Sequence, residues 1–403
     1  MTKYFKLYIL FLFFSITGFS QISKVHYIPP LTNNKSLSGG SSIPLDQYMY
    51  LSTPSENNVT VTITPLNGDS PTTYNNLSNG NPIRYDIGTS WNGTNYTPSQ
   101  LFVDHETTGG NTALNAGFVV EADCPIYVSI RYNAGAQAGA LVSKGDASLG
   151  TNFRAGMMTN GTVQSANAHF TANSFFSVMA TQDNTIVSID LPNALIGETT
   201  LSNYNYQGPF TKVLQKHESM VLSLDFENTN ANNQGARNSL NGALIRSVDE
   251  DGTEDGTKPL VVNVGSASGS FSATGSGHDH GIDQIVGLDR VGHEYIFVRG
   301  NGQNLNDGGQ LETPLIISTK DNTHLYINGS TTATATIDAG DIWLATSDLW
   351  SSQNQGATMY IRTQDKNYPV YAYQGIAGNG DSEANQGMFF VPPISEDAND
   401  NIN

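Results

Sequence analysis

The sequence predicts an all-β protein built of three tandem antiparallel repeats, with very little helix. Three observations predict it. First, Phe176, Val178 and Ala180 alternate with Ser177, Met179 and Thr181; Asp183-Asn184-Thr185 breaks the run, and Val187, Ile189 and Leu191 then alternate again. Period-two alternation on both sides of a short polar break reads as a β-hairpin with one buried face, and Asp and Asn suit the break because they tolerate tight turns. Second, the phrase recurs at residues 315–327 and, more weakly, at 48–63, which sets Asn57, Asp183 and Asp321 in register. Third, only 13% of the residues are charged, against about 25% in an ordinary soluble domain. Gly, Ser, Thr and Asn make up the difference, as in strand-and-turn proteins.

The elements follow in order. Residues 1–20 have the layout of a secretory signal: Lys3 and Lys6, an apolar core at 7–16, then Gly18-Phe19-Ser20. That core is too short to span a bilayer comfortably, and no other stretch approaches the roughly 18 apolar residues a spanning helix needs. Cleavage after Ser20 leaves no segment inserted in a membrane. Residues 24–31 read as a short strand closed by Pro29-Pro30, and 83–87 and 100–103 as two more.

A second phrase then begins at Gly117 and runs as strand, polar turn, Pro125, strand. It returns from Gly242 through Pro259 and from Gly356 through Pro369. Proline suits the first residue of a strand, which need not donate to the ladder. Two phrases in fixed order, three times over, make a repeat protein, with repeats at 22–149, 150–290 and 291–395. Intervening strands such as 210–214 and 220–224 bring each repeat to about six. Such units pack as antiparallel sandwiches or close into a propeller-like body. Residues 396–403 read as a polar linker, and the chain is expected to continue into further domains of a larger protein.

With 18 basic residues against 36 acidic ones the formal charge is −18. Nucleic acid and anionic membrane are thereby excluded as partners, since both need a basic patch. Cys124 is the sole cysteine, so there is no internal disulfide. Its place between Asp123 and Pro125, at the mouth of an apolar strand, reads as buried and inert.

Motifs for catalysis are sparse. His105-Glu106, His217-Glu218 and His293-Glu294 each begin like a zinc-protease motif and lack its second histidine, and there is no G-x-S-x-G elbow. The densest ligand set is His278-Asp279-His280 with Asp283, two imidazoles and two carboxylates of the kind that hold zinc. The flanking glycines make it a loop, and no second ligand segment accompanies it. Asp249, Asp251 and Asp255, with Glu250 and Glu254, offer oxygens of the kind calcium takes. The run lacks the glycine and the closing glutamate of a calcium loop, so an exposed acidic turn is the first reading. No other cofactor is expected. Trp91 and Tyr96, in the loop WNGTNY, are candidates for stacking on a sugar, whereas Trp343, Trp350, Tyr371 and Tyr373 read first as fillers of strand faces.

Three stretches together resemble the N-terminal domain of the IgGFc-binding protein family. They are FSVMATQDNTIVSI (176–189), the pair GALIRS (242–247) and KPLVVNVGS (258–266), and DQIVGLDRVGHEYIFVRGNG (283–302). The resemblance covers most of residues 24–394. It is strongest to bacterial members near the start of large secreted surface proteins of gliding Bacteroidetes. It implies an extracellular, non-enzymatic, adhesion-like role; in the animal member the family name implies binding to the Fc part of immunoglobulin G. The matched residues are strand and turn residues rather than a mapped site. The function expected is therefore that of an exported surface module that recognises a protein or a glycan through its inter-strand loops. A polysaccharide-processing accessory enzyme and a structural spacer are the two competing readings.

Overall fold

The computed structural model describes residues 22–32, 43–104, 112–134, 137–159, 173–194, 196–197, 199–201, 204–224, 238–269, 271, 279–300, 312–352, 354–376 and 387–394. The expected signal at 1–20, the tail at 396–403 and His278 lie outside the described residues. Among the described residues strands account for 52% and helix for 3%. Among the described residues the helix consists of short 3-10 turns at Gly145–Ser148, Leu288–Arg290 and Ser347–Leu349.

Strands run through the first unit as β1 (Ser23–Ile28), β2 (Leu31–Thr32), β3 (Gln47–Ser52), β4 (Val59–Pro65), β5 (Thr72–Leu77), β6 (Ile83–Gly88), β7 (Phe102–Val103), β8 (Phe118–Ala134) and β9 (Gln137–Val142). The second unit holds β10 (Asn152–Arg154), β11 (Asn173–Ala180), β12 (Thr185–Asp190), β13 (Thr200–Leu201), β14 (Tyr204–Asn205), β15 (Phe210–Leu214), β16 (Ser219–Ser223), β17 (Leu244–Val248), β18 (Leu260–Gly269) and β19 (Asp279–Gln284). The third holds β20 (Glu294–Val298), β21 (Pro314–Ser318), β22 (Thr323–Ile327), β23 (Ala335–Ile337), β24 (Ile342–Leu344), β25 (Thr358–Arg362), β26 (Val370–Ile376) and β27 (Gly387–Phe390).

One strand order appears three times. In the second unit the sheets are β10-β17-β12-β15 and β16-β11-β18-β19; in the third they are β20-β25-β22-β23 and β24-β21-β26-β27. The first unit has the same plan, with β1, β8, β4 and β5 on one side and β6, β3, β8 and β9 on the other. There β8 is long enough to serve both sides, which joins them into a single seven-stranded, nearly closed sheet. Each unit is thus a two-sheet sandwich of eight strand positions rather than six, and a short hairpin, β13-β14, is added in the second.

The founding phrase is not a hairpin. β11 pairs with β16 and β18, whereas β12 pairs with β15 and β17. The two strands face each other across the sandwich, so the connection is an arch from one sheet to the other. The pair β21 and β22 and the pair β3 and β4 are built likewise. Alternation in sequence marks which face is buried and says nothing about which strand shares the hydrogen bonds, so it fits both arrangements.

Recurrent bonds hold the arches. Thr53, Thr181 and Thr319, one at the start of each arch, donate through Oγ1 to the carbonyls of Pro125 (3.0 Å), Pro259 (2.6 Å) and Pro369 (2.6 Å). Asp183 Oδ1 accepts from Lys216 N at 3.1 Å, and Asp321 Oδ1 from Ala339 N at 3.0 Å, tying each arch to the neighbouring turn. In the first unit the backbone of Ser55 does this work, accepting from Asn79 N at 2.8 Å, and Asn57 does not. Asn184 and Asn322 take φ of 53° and 55°, the left-handed turn conformation that asparagine tolerates.

The second phrase is also explained by backbone geometry. Gly117, Gly242 and Gly356 have φ of 93°, 79° and 79°, which disfavours any side chain. A Cβ on Gly242 would strike the carbonyl of Gly340 in the third unit. Pro259 and Pro369 immediately precede β18 and β26, as expected, but Pro125 lies inside β8. It sits between Ala122, the last β8 residue paired with β4, and Tyr127, the first paired with β3, where neither of those ladders needs its missing N–H. Cys124, at the same crossing, is exposed rather than buried, because neither sheet covers this bend.

Sheet-on-sheet packing makes the three units one body. In the second unit Phe176, Val178, Leu222 and Val262 fill its own core, while Phe175, Val221, Ala267 and Ile282 enter the core of the first. In the third, Ile316, Val370 and Ala372 face inward, while Leu315, Ile317, Tyr371 and Tyr373 pack into the second. These strands are buried on both faces, so apolar residues such as Phe175 and Phe176 stand side by side on them.

Candidate functional site

Strands β9, β19 and β27 are each the edge of their sheet, and all three edges meet. Where they meet lies an open cavity of about 940 Å³, bounded also by the turn at Leu288–Arg290 and by residues 391–394. Val142, Ile282, Ile376, Met388, Phe390 and Ile394 supply its apolar lining. Val142, Ile376 and Ile394 are exposed, at 40%, 45% and 37% of their surface. Lys144, Arg290, His293 and Lys366 also line it, with Asp283 and Asp289. Arg290 Nε lies 3.6 Å from Asp289 Oδ2 and His293 Nε2 3.5 Å from Glu294 Oε1, so most of the polar lining is paired.

A buried polar node fixes the walls. Lys144 Nζ lies 2.7 Å from Asp283 Oδ1, and both side chains are buried. Phe390 N donates to Asp283 Oδ2 at 2.8 Å. Lys144 N donates to Gln284 Oε1 at 2.7 Å, and Gln284 Nε2 donates to the carbonyl of Tyr27 at 2.9 Å. Lys144 lies just after β9 near the end of the first unit, Asp283 and Gln284 lie near the end of the second, and Phe390 near the end of the third. One carboxylate therefore meets partners from both other units, with its charge neutralised and its oxygens occupied, as a buried ion requires.

This places two of the expected metal ligands in other roles. Residues 279–284 form strand β19, not a loop, because β18 pairs with them along its length. Asp283 is committed to Lys144 and Phe390 N. His280 is buried, with Nδ1 3.1 Å from the hydroxyl of Tyr132, and burial pushes its pKa down to about 4. It is a neutral packing residue between the first and second units, its ring edge-on to Tyr132. The backbone of Asp279 belongs to the same strand.

The acidic run is likewise a self-satisfied turn. Asp251 Oδ1 accepts from Thr253 N (2.9 Å) and Oγ1 (2.7 Å), bonds that hold its pKa down. Asp255 Oδ1 accepts from Thr257 Oγ1 (2.6 Å) and N (2.9 Å), with the same effect, and its Oδ2 lies 3.7 Å from Lys258. Asp249 N bonds the carbonyl of Thr253, and Glu254 accepts from Thr151 and Asn152. Among the described residues no three His, Cys, Asp or Glu side chains converge as a metal site.

Trp91 and Tyr96 are brought together by a bridge across their loop, in which Asn92 Oδ1 accepts from Thr94 N and Asn95 N. Both are half-buried, and the Tyr96 hydroxyl donates inward to Val103 O at 3.1 Å. Trp343 is half-buried, and Trp350, Tyr371 and Tyr373 are buried. Sequence reading missed the groove because its lining comes from residues more than two hundred positions apart. One signal could have pointed to it: Lys144 and Asp283 stand near the ends of the first two repeats in a chain poor in charge.

Among the described residues no helix is long and apolar enough to cross a membrane. No curated protein and no solved structure matches the chain. The family model for the IgGFc binding protein matches residues 138–402, from β9 through the whole of the second and third units. That span takes in all three edge strands and the groove between them, and it shows that the chain belongs to the IgGFc-binding protein family.

Proposed function

We propose that this chain is an exported binding module, built of repeats at 22–149, 150–290 and 291–395, that holds an extracellular protein in the groove between β9, β19 and β27. One observation carries the reading. Val142, Ile376 and Ile394 stay exposed on walls locked by the Lys144–Asp283–Phe390 node, so the apolar surface is fixed in place before a ligand arrives. Preformed apolar concavities with a few convergent charges are the usual form of a binding site. Export rests on the signal-like layout of residues 1–20. A family named for binding the Fc region of immunoglobulin G supports a protein ligand.

Binding fits the groove better than catalysis. A glycosidase holds two free carboxylates roughly 5–10 Å apart. The groove offers Asp283 and Asp289, and the first is spent on the node. The test is an array of extracellular proteins, immunoglobulin G Fc included, and of glycans, probed with the wild-type chain and with Ile376→Asp. A protein that binds the wild type and is lost by roughly tenfold or more with Ile376→Asp is the expected result. Binding confined to glycans, or a protein ligand indifferent to Ile376→Asp, would overturn the assignment.

A further inference from the structure

The three sandwiches dock by one repeated contact. The outer face of each unit's β11-type sheet covers the first strand of the unit before it. From the third unit, the hydroxyl of Tyr371 donates to Val286 O at 2.9 Å and lies 3.5 Å from Asn152 O, and that of Tyr373 donates to Arg154 O at 3.1 Å. These carbonyls belong to β10 and to the segment leading out of the second unit. From the second unit, Asn263 Nδ2 donates to Pro29 O at 2.9 Å and Gln284 Nε2 to Tyr27 O, at and just beyond β1. Leu315 and Ile317, and in the second unit Phe175, supply the apolar part of the contact.

Among the described residues a contact of this kind leaves a face uncovered at each end of the row. The first unit's equivalent face is on β3 and the second half of β8. Cross-strand pairs fix the equivalence: Leu51 opposite Val128 matches Ile316 opposite Ala372, and Ser52 opposite Tyr127 matches Ile317 opposite Tyr371. Tyr127 therefore holds the position of the docking residue Tyr371, and both stand two places after a proline. Tyr371 is fully buried, whereas Tyr127 is 43% exposed and Tyr50, at the position of Leu315, is 38% exposed. At the other end, β20 is the third unit's first strand. Phe153 opposite Ile245 matches Phe297 opposite Met359, so Asn152 and Arg154, under the third unit, correspond to Ile296 and Val298. Ile296 and Val298 are 52% and 53% exposed, and both are more apolar than their counterparts Asn152 and Arg154.

We propose that the chain associates head to tail with a second copy of itself, the Tyr50–Tyr127 face of one copy covering the Ile296–Val298 strand of the next. The Tyr127 hydroxyl then donates to the carbonyl of Ile296, as that of Tyr371 reaches Asn152. The interface is heterologous, so it extends into a chain of copies or closes into a ring. It continues the packing already used twice within the molecule and is independent of what the groove binds.

Sedimentation equilibrium of the chain from Ile22 onward, over concentrations to about 1 mM, tests it. Wild type is expected to gain mass with concentration. The variant Tyr50→Asp/Tyr127→Asp and the variant Ile296→Asp/Val298→Asp are each expected to stay monomeric, and an equimolar mixture of the two to form a dimer and nothing larger. Melting curves establish that both variants fold. Tyr127→Phe, which keeps the ring and removes only the hydroxyl, is expected to weaken association roughly two- to tenfold. A wild type monomeric throughout overturns the proposal. So does self-association that survives in either double variant, a mixture of folded variants that stays monomeric, or association unchanged by Tyr127→Phe should the double variants fail to fold.

Discussion

Strands β3 and β21 occupy the same place in two copies of one sandwich and lead different lives. In β3, Met49 and Leu51 are buried while Tyr48 and Tyr50 lean toward solvent. In β21, all five residues from Pro314 to Ser318 are buried, because the second unit covers the face that β3 leaves open. Backbone pairing is the same in both, so the difference comes from what lies above the sheet. Position in the array, more than local sequence, decides how much each side chain contributes. The junctions between units should therefore respond strongly to mutation and the outer face of the first unit weakly.

The node is the sharpest test of that contrast. Lys144→Ala or Asp283→Ala strands a buried charge at the meeting of all three units, which costs on the order of 3–5 kcal/mol. Chemical denaturation followed by tryptophan fluorescence would read it, since Trp343 and Trp350 lie in the third unit. A loss near zero would mean that water reaches the pair and the units are less tightly joined than their packing implies.

A matched pair of truncations comes next. Leu315→Ala empties a site covered on both sides and should cost about 2–5 kcal/mol. Tyr50→Ala, at the equivalent position of β3, should cost roughly 0.5 kcal/mol or less, as exposed sites do. Equal costs would erase the distinction between the two strands.

Acid should loosen the first junction. His280 is buried against Tyr132, and burial lowers its pKa from the ordinary 6.5 to about 4. Above 6.5 it is neutral whether the chain is folded or unfolded and contributes no pH dependence. Between 6.5 and about 4 the unfolded chain binds the proton more readily, so stability falls as pH falls. The loss across that window is on the order of 1–3 kcal/mol. Burial lowers His26 in the same direction, so the two contributions add. In His280→Phe the slope of stability against pH should flatten, although the level at neutral pH changes with the altered packing. An unchanged slope would show that His280 is not the group responsible.

Much of this was legible in the sequence, and the illegible part has a single cause. Strand positions were marked by alternation in 48–52 and 185–190, and by the recurring Gly117, Gly242 and Gly356, whose positive φ explains why glycine returns there. Arch and hairpin were indistinguishable, because the two bury the same side chains and differ only in long-range pairing. Exposed loop and buried strand were confused at His280 and Asp283, since the covering residues Tyr132 and Lys144 lie far back in the chain. Cys124 was misjudged for the converse reason: its apolar neighbours are covered by sheets that part company at that bend. The groove needed three sheet edges to be brought together, and no local pattern encodes that.

The threonine clamps give the finest comparison, because all three units make the same bond with graded geometry. Thr181 and Thr319 reach their proline carbonyls at 2.6 Å, whereas Thr53 does so at 3.0 Å from a longer arch. Valine keeps the branched shape and removes the hydroxyl, so Thr→Val should cost about 1 kcal/mol at Thr181 or Thr319, the usual net worth of one hydrogen bond. At Thr53 the cost should be smaller, because the carbonyl of Pro125 borders an exposed bend where water can replace the hydroxyl. Three single variants compared by denaturant midpoint would rank them. An order with Thr53 foremost would mean that the first arch, and not the two inner ones, is the place where this bond holds the sheets together.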